Sequence, residues 1–80
     1  MISASQIRGA RAMLGMKQAE LAERAGISKT GLVNIESGCT DSKSSTLIAI
    51  QKTLEIAGIV FLEENGDGGA GVRFRSTREV

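Results

Sequence analysis

The stretch Gln18–Gly38, Q-A-E-L-A-E-R-A-G-I-S-K-T-G-L-V-N-I-E-S-G, leaves the chain few ways to fold. Leu21, Ala22 and Ala25 are spaced so that they share one face of a helix. Gly26 stops that helix, because glycine readily takes the left-handed conformation that a C-terminal cap requires. Ile27 follows as an apolar plug. Ser28 starts a helix again, its hydroxyl placed to accept from a backbone N–H two or three residues on. Leu32 and Ile35 repeat the apolar spacing, and Gly38 ends the second helix. Two short helices with so brief a joint must cross steeply.

That is the plan of a helix-turn-helix. The outer face of its second helix carries Lys29, Thr30, Val33 and Asn34, which are small or polar and are not needed for a core. A helix with such a face can enter a DNA major groove.

Together with its flanks, the stretch resembles the Cro-like helix-turn-helix proteins, the XRE family of phage and bacterial repressors. Ile7-Arg8, Ala10-Arg11, Leu14-Gly15 and Gln18-Ala19-Glu20-Leu21-Ala22 are similar to that family's opening, and Ile35-Glu36-Ser37-Gly38 to its closing signature. Each motif alone is a weak signal, but here they stand in order and in register. The resemblance extends to about Gly58 and implies a mostly α fold, a four-helix lambda-repressor-like helix-turn-helix domain over residues 1–58. It also implies that Arg11 and Glu36 form a buried ion pair joining the first helix to the end of the third; read without it, they are two unrelated surface charges. Gln18 matches a glutamine that bonds a backbone phosphate and steadies the start of the recognition helix. Where the family usually places Ser, Thr or Asn before the second helix, this chain has Lys17. A lysine cannot accept a hydrogen bond, so that helix start is expected to be poorly capped, with the ammonium either solvated or on a phosphate.

On this reading the recognition helix runs from Lys29 to Ser37. Lys29 can donate to guanine O6 or N7, Thr30 can meet a phosphate or a thymine methyl, and the Asn34 amide can pair with adenine N6 and N7. Val33 adds an apolar contact. Each good base contact is worth about 1–3 kcal/mol of discrimination. Gly31 allows close approach of the second helix or of DNA and weakens its own helix. Backbone phosphates are expected to meet Lys17, Gln18, Ser28, Thr40, Ser42 and Lys43. In the family, the loop that holds the last three is often basic. Here Asp41 opposes Lys43, which predicts weaker non-specific binding. Cys39 reads either as a redox sensor or as a small inert loop residue, and the lack of a cationic cluster in the sequence around it favours the second.

The rest of the chain supplies the frame. Ser3 and Gln6 have the spacing of a capping box, and Ile7, Ala10, Met13 and Leu14 form a first stripe that Gly15 ends. Ser44 or Ser45 is expected to cap a fourth helix with the stripe Leu47, Ile50, Leu54 and Ala57, stopped by Gly58; Ile48 lies off that stripe. Beyond Gly58 the pattern changes. Ile59-Val60-Phe61-Leu62 is a short β-branched and aromatic run, Asn65–Gly71 is rich in glycine, and Val72-Arg73-Phe74-Arg75 alternates. This predicts a C-terminal β-hairpin over 59–75, followed by a tail over 76–80. A lone hairpin is marginal. The apolar residues Ile59, Val60, Phe61, Leu62, Val72 and Phe74 need cover, either from the same hairpin of a second subunit, the reading preferred here, or from the chain's own first and fourth helices.

Composition narrows the function. Eighty residues make one small domain. Net charge is only +1, but six Lys or Arg face four acids up to residue 45, and four face five beyond it. The basic surplus therefore lies on the helix-turn-helix half. There is no histidine, tyrosine or tryptophan, which removes most general acid–base candidates and every histidine-containing metal site. A single cysteine suits a reducing compartment. No apolar run is long enough for a bilayer, and no signal-peptide pattern opens the chain, so a cytoplasmic protein is expected. Glu63 and Glu64 do not make an acid pair, since adjacent strand residues point to opposite faces. The glycine-rich turn lacks the Lys-Ser/Thr ending and following helix of a phosphate-binding loop. Neither enzyme activity, cofactor nor metal is expected. The reading is a sequence-specific transcriptional regulator of double-stranded DNA, best taken as a repressor that binds a palindromic operator as a homodimer. The alternative is the antitoxin or partner-binding module of a toxin–antitoxin pair.

Overall fold

Four helices and a hairpin follow one another in the computed structural model, which describes residues 1–39 and 42–77. They are α1 (Ala4–Leu14), α2 (Gln18–Ala25), α3 (Lys29–Ser37), α4 (Ser44–Ile56), β1 (Ile59–Leu62) and β2 (Gly71–Phe74). The first three helices end alike. Gly15, Gly26 and Gly38 cap them in the left-handed region, and the next residue's N–H reaches back five positions: Met16 to Arg11, Ile27 to Ala22, Cys39 to Asn34. The joint between α2 and α3 needs this cap most, since Gly26 at φ 75° reverses the chain within three residues.

Helix starts are less uniform. Ser3 and Gln6 form a reciprocal capping box on α1. The Ser28 hydroxyl accepts from the Gly31 N–H at 2.9 Å and caps α3. Lys17 stands at the N-cap of α2 with no side-chain hydrogen bond. Helix α4 departs from expectation. Its N-cap is Lys43, whose carbonyl already accepts from Thr46 and Leu47, so Ser44 and Ser45 fall inside the first turn and cap nothing. Its C-cap is Ala57, one residue before the expected stop at Gly58.

Ile7, Ala10, Leu21, Ala22, Leu32, Ile50, Leu54 and Ile59 make the centre of the core, with Ile2 and Met16 at its margin. Ile27 and Ile35 pack against it from α3 and the joint before it. The strands pair antiparallel, Ile59 with Phe74, Val60 with Arg73, Phe61 with Val72 and Leu62 with Gly71. This register gives the hairpin two different faces. Ile59, Phe61, Val72 and Phe74 lie on the face turned to the chain's own helices, β1 against α4 and β2 against α1. Sequence pattern favours a subunit interface for these four residues, with the chain's own first and fourth helices as the alternative cover. Ile59 is only 1% exposed within the protomer, because α1 and α4 already supply the cover a hairpin needs. Val60 and Leu62 occupy the opposite face.

Gln6 adds a latch that sequence pattern alone does not reveal. Its amide nitrogen donates to the carbonyls of Leu62 at 3.2 Å and Gly71 at 3.0 Å, the last register pair of the hairpin. At the turn itself, the Asn65 side-chain oxygen accepts from the N–H groups of Asp67 and Gly68. Arg75 continues the ladder past β2, its N–H donating to the Gly58 carbonyl at 2.8 Å. Expectations for Thr40 and Asp41, and for the tail beyond Thr77, lie outside the described residues. Among the described residues no helix is long and apolar enough to cross a membrane, and no group of three metal-binding side chains occurs.

Candidate nucleic-acid interface

The recognition face begins with the way α3 is seated. Leu32 is fully buried and Ile35 half-buried, so both anchor the inner side of the helix. Helical geometry then sends Lys29, Thr30, Val33 and Asn34 outward. All four are exposed, Val33 to 38%. No hydrogen bond or ion pair within the described structure ties down the side chain of Lys29, Thr30 or Asn34. The face therefore offers a donor, a hydroxyl, a methyl-bearing surface and an amide on about one and a half turns.

Gly31 has a more local reason than close approach by DNA or α2. A Cβ there would lie 3.0 Å from the Ser28 hydroxyl oxygen, so glycine makes room for the cap of its own helix. The two features adjoin: the Ser28 hydroxyl accepts from the Gly31 N–H, and a Cβ at Gly31 would press on that same oxygen.

What holds α3 at its angle is a charged cluster at its far end. Arg11 lays its guanidinium along the Glu36 carboxylate, Nε to Oε2 at 2.9 Å and Nη2 to Oε1 at 3.0 Å. Glu36 is 3% exposed and Arg11 23%. The fork is bidentate, the strongest geometry for such a pair. Arg11 also donates to the Met16 carbonyl at 3.0 Å. Arg8, which the sequence marks only as part of the family's opening motif, donates to the Glu36 main-chain carbonyl and to the Ser5 hydroxyl. Its spacing of three from Arg11 puts both arginines on one side of α1. That was the available signal, but nothing in the pattern named a backbone carbonyl as its partner.

Gln18 joins the same cluster. Its amide nitrogen donates to Glu36 Oε1 at 3.2 Å. The structure thus brings Arg11, Gln18 and Glu36 together, binding the starts of α2 and the end of α3 to α1. An amide carries two N–H donors, so this bond leaves one for a phosphate.

The remaining phosphate candidates are spread around α3. Ser42, Lys43 and Thr46 line a groove of about 350 Å³ with Gly31, Asn34, Ile27 and Ile35, so the start of α4 stands beside the recognition helix. Lys43 and Lys17 are both exposed, and each occupies an N-cap without a side-chain bond. Uncapped N–H groups beside an ammonium suit an anion. Ser28 faces solvent while capping, and its own hydroxyl proton remains to donate.

A family model described as Helix-turn-helix matches residues 7–58, more than half of the chain. A search of the curated proteins finds no match. The matched span runs from Ile7 in α1 to Gly58, the glycine before β1, and contains Arg8, Arg11, Gln18 and Glu36 but no residue of the hairpin; the chain belongs to the XRE-type helix-turn-helix family of DNA-binding transcriptional regulators.

Proposed function

We propose that the chain is a cytoplasmic repressor that binds a roughly palindromic operator as a homodimer. The observation that carries this reading is the outer face of α3, where Lys29, Thr30, Val33 and Asn34 are exposed on a helix anchored by Leu32 and by the Arg11–Glu36 pair. A rigid helix that presents unengaged polar groups loses little entropy on docking in a groove. Lys29 and Asn34 read bases, Thr30 and Val33 fit around them, and Lys17, Gln18, Ser28, Ser42 and Lys43 position the helix on phosphates. Thr40 belongs to the same proposed set.

Two copies place two recognition helices about one DNA turn apart, which is why a symmetric site is expected. Occupying a promoter is sufficient to repress it. The test is a binding selection on random duplexes with the wild-type chain and with Lys29→Ala and Asn34→Ala. Each variant should relax preference at one defined position of each half-site. Uniform loss over all sequences would mark these side chains as phosphate contacts. Failure of the wild type to bind any duplex at low salt would remove the proposal.

A further inference from the structure

We infer that Asn65 is a site of covalent self-modification, where the hairpin turn promotes loss of ammonia and uptake of water to give aspartate and β-linked isoaspartate. The inference is independent of DNA binding and rests on the bonds of one turn. Asn65 is followed by Gly66, and both are exposed. No hydrogen bond among the described residues engages the Gly66 N–H. Apart from its chain neighbours, nothing lies within 4 Å of where a Gly66 Cβ would sit, so the nitrogen is open to water and to the side chain before it. The Asn65 side-chain oxygen accepts from the Asp67 N–H at 2.8 Å and the Gly68 N–H at 3.1 Å.

Water is the one co-reactant. Water or hydroxide removes the Gly66 amide proton, and the nitrogen attacks Asn65 Cγ. An N–C bond forms and the carbonyl electrons move onto Oδ1. The two N–H groups already on that oxygen stabilise the charge that develops there. Nδ2 then takes a proton and leaves as ammonia, closing a cyclic imide. A water molecule opens the ring at either carbonyl. Opening at the side-chain carbonyl gives aspartate; opening at the main-chain carbonyl gives isoaspartate, with an extra methylene in the main chain. Nothing is oxidised or reduced.

Surroundings decide which site reacts. Asn34 is the other asparagine, and it too is exposed. Its successor is the β-branched Ile35, whose N–H belongs to the α3 ladder. Asp67-Gly68 repeats the pattern of a carboxyl-bearing side chain before glycine, yet the Gly68 N–H is held by the main-chain and side-chain oxygens of Asn65. Of the three, Gly66 alone combines a missing side chain with an unengaged N–H.

The strands survive the change. Gln6 ties Leu62 to Gly71 before the turn begins. An aspartate at 65 still accepts from the N–H groups of 67 and 68. Isoaspartate lengthens the main chain and breaks the Asn65–Gly68 bridge, outside the paired strands. Either product joins the exposed Glu63, Glu64 and Asp67 and takes the net charge from +1 to zero. The step is one-way and marks the age of the molecule.

Incubation of the full chain at physiological pH and temperature tests this. Ion exchange should resolve a growing acidic species. Peptide mapping with electron-transfer fragmentation should place aspartate and isoaspartate at 65, with Asn34 intact. The rate should rise with pH near neutrality, because the nitrogen reacts after losing its proton. Gly66→Ala should slow conversion by about tenfold or more, since a Cβ hinders the close approach that glycine permits. That Cβ meets no neighbour, so circular dichroism should show an unchanged fold. Asn65→Asp should elute with the acidic species and melt like the wild type. Unfolded in guanidinium, the chain should convert Asn65 no faster, because both donors on Oδ1 are lost. An Asn65 that persists, an Asn34 that converts as fast, a Gly66→Ala chain that ages like the wild type, or an unfolded chain that converts Asn65 faster each overturns the inference.

Discussion

Removing the Arg11 guanidinium is the most direct challenge to the account of how α3 is held. Arg11→Ala deletes both charge-assisted bonds to Glu36 and the bond to the Met16 carbonyl. The carboxylate, 3% exposed, is left with the Gln18 amide as its side-chain partner. Stranding a buried charge in this way costs about 3–5 kcal/mol. Because Arg11 is 23% exposed, water can enter the vacated space, which places the expected loss near the lower bound. A chain of 80 residues has a total stability of roughly 4–12 kcal/mol, so even about 3 kcal/mol is a large share. The melting temperature should fall by roughly 12–24 °C at about 4–8 °C per kcal/mol. Urea unfolding followed by circular dichroism measures this, beside a cycle of Arg11→Met, Glu36→Leu and the double variant Arg11→Met/Glu36→Leu. The double variant should recover much of the loss, since no charge is then left unpaired. Arg11→Ala within about 0.5 kcal/mol of wild type, the range of an ordinary surface change, would refute the reasoning.

Four further substitutions test the helix ends and the hairpin latch. Ser28→Ala should cost about 1 kcal/mol by orphaning the Gly31 N–H. Gly31→Ala should be near neutral in the wild type, where its Cβ crowds the Ser28 hydroxyl, and should show its helix-propensity gain of about 1 kcal/mol in a Ser28→Gly background; chemical denaturation reads both. Lys17→Ser supplies the acceptor that α2 lacks and should stabilise the chain by about 0.5–1 kcal/mol. If Lys17 contacts a phosphate, the same change should lower the slope of log affinity against log salt by about one, measured by anisotropy. Gln6→Ala releases the Leu62 and Gly71 carbonyls and should cost about 2 kcal/mol. Hydrogen exchange should speed up in β1 and β2 more than in α3, and uniform acceleration would show that the latch is not local.

Several elements were legible because their determinants are local. Apolar spacing in α1 to α4 and glycine at three helix ends define the helices almost to the residue, since a left-handed cap depends on one position and its immediate neighbours. The exposed set on α3 was legible for the same reason: once Leu32 and Ile35 face inward, helical geometry determines what faces outward. The cap of α4, expected at Ser44 or Ser45, lies one or two residues earlier at Lys43, because all three fit a helix start and only the Lys43 carbonyl bonds decide among them. Gly31 shows a different limit. Its role depends on a 3.0 Å approach to a side chain three residues away, which spacing does not encode.

By itself, then, the order of residues determined the helices, the hairpin, their punctuation and the polar face of the recognition helix. These follow from backbone preferences and periodicity, which act over a few neighbouring positions. Tertiary structure alone decided what the long-range polar groups touch: Gln6 on the hairpin carbonyls, Arg8 on the Glu36 carbonyl and Gln18 on its carboxylate. It also decided which side of the hairpin is covered, turning Ile59 into the core and leaving Val60 and Leu62 on the opposite face. A strand pattern with apolar residues on both faces is equally compatible with either burial, and the choice is made by the helices that arrive beside it.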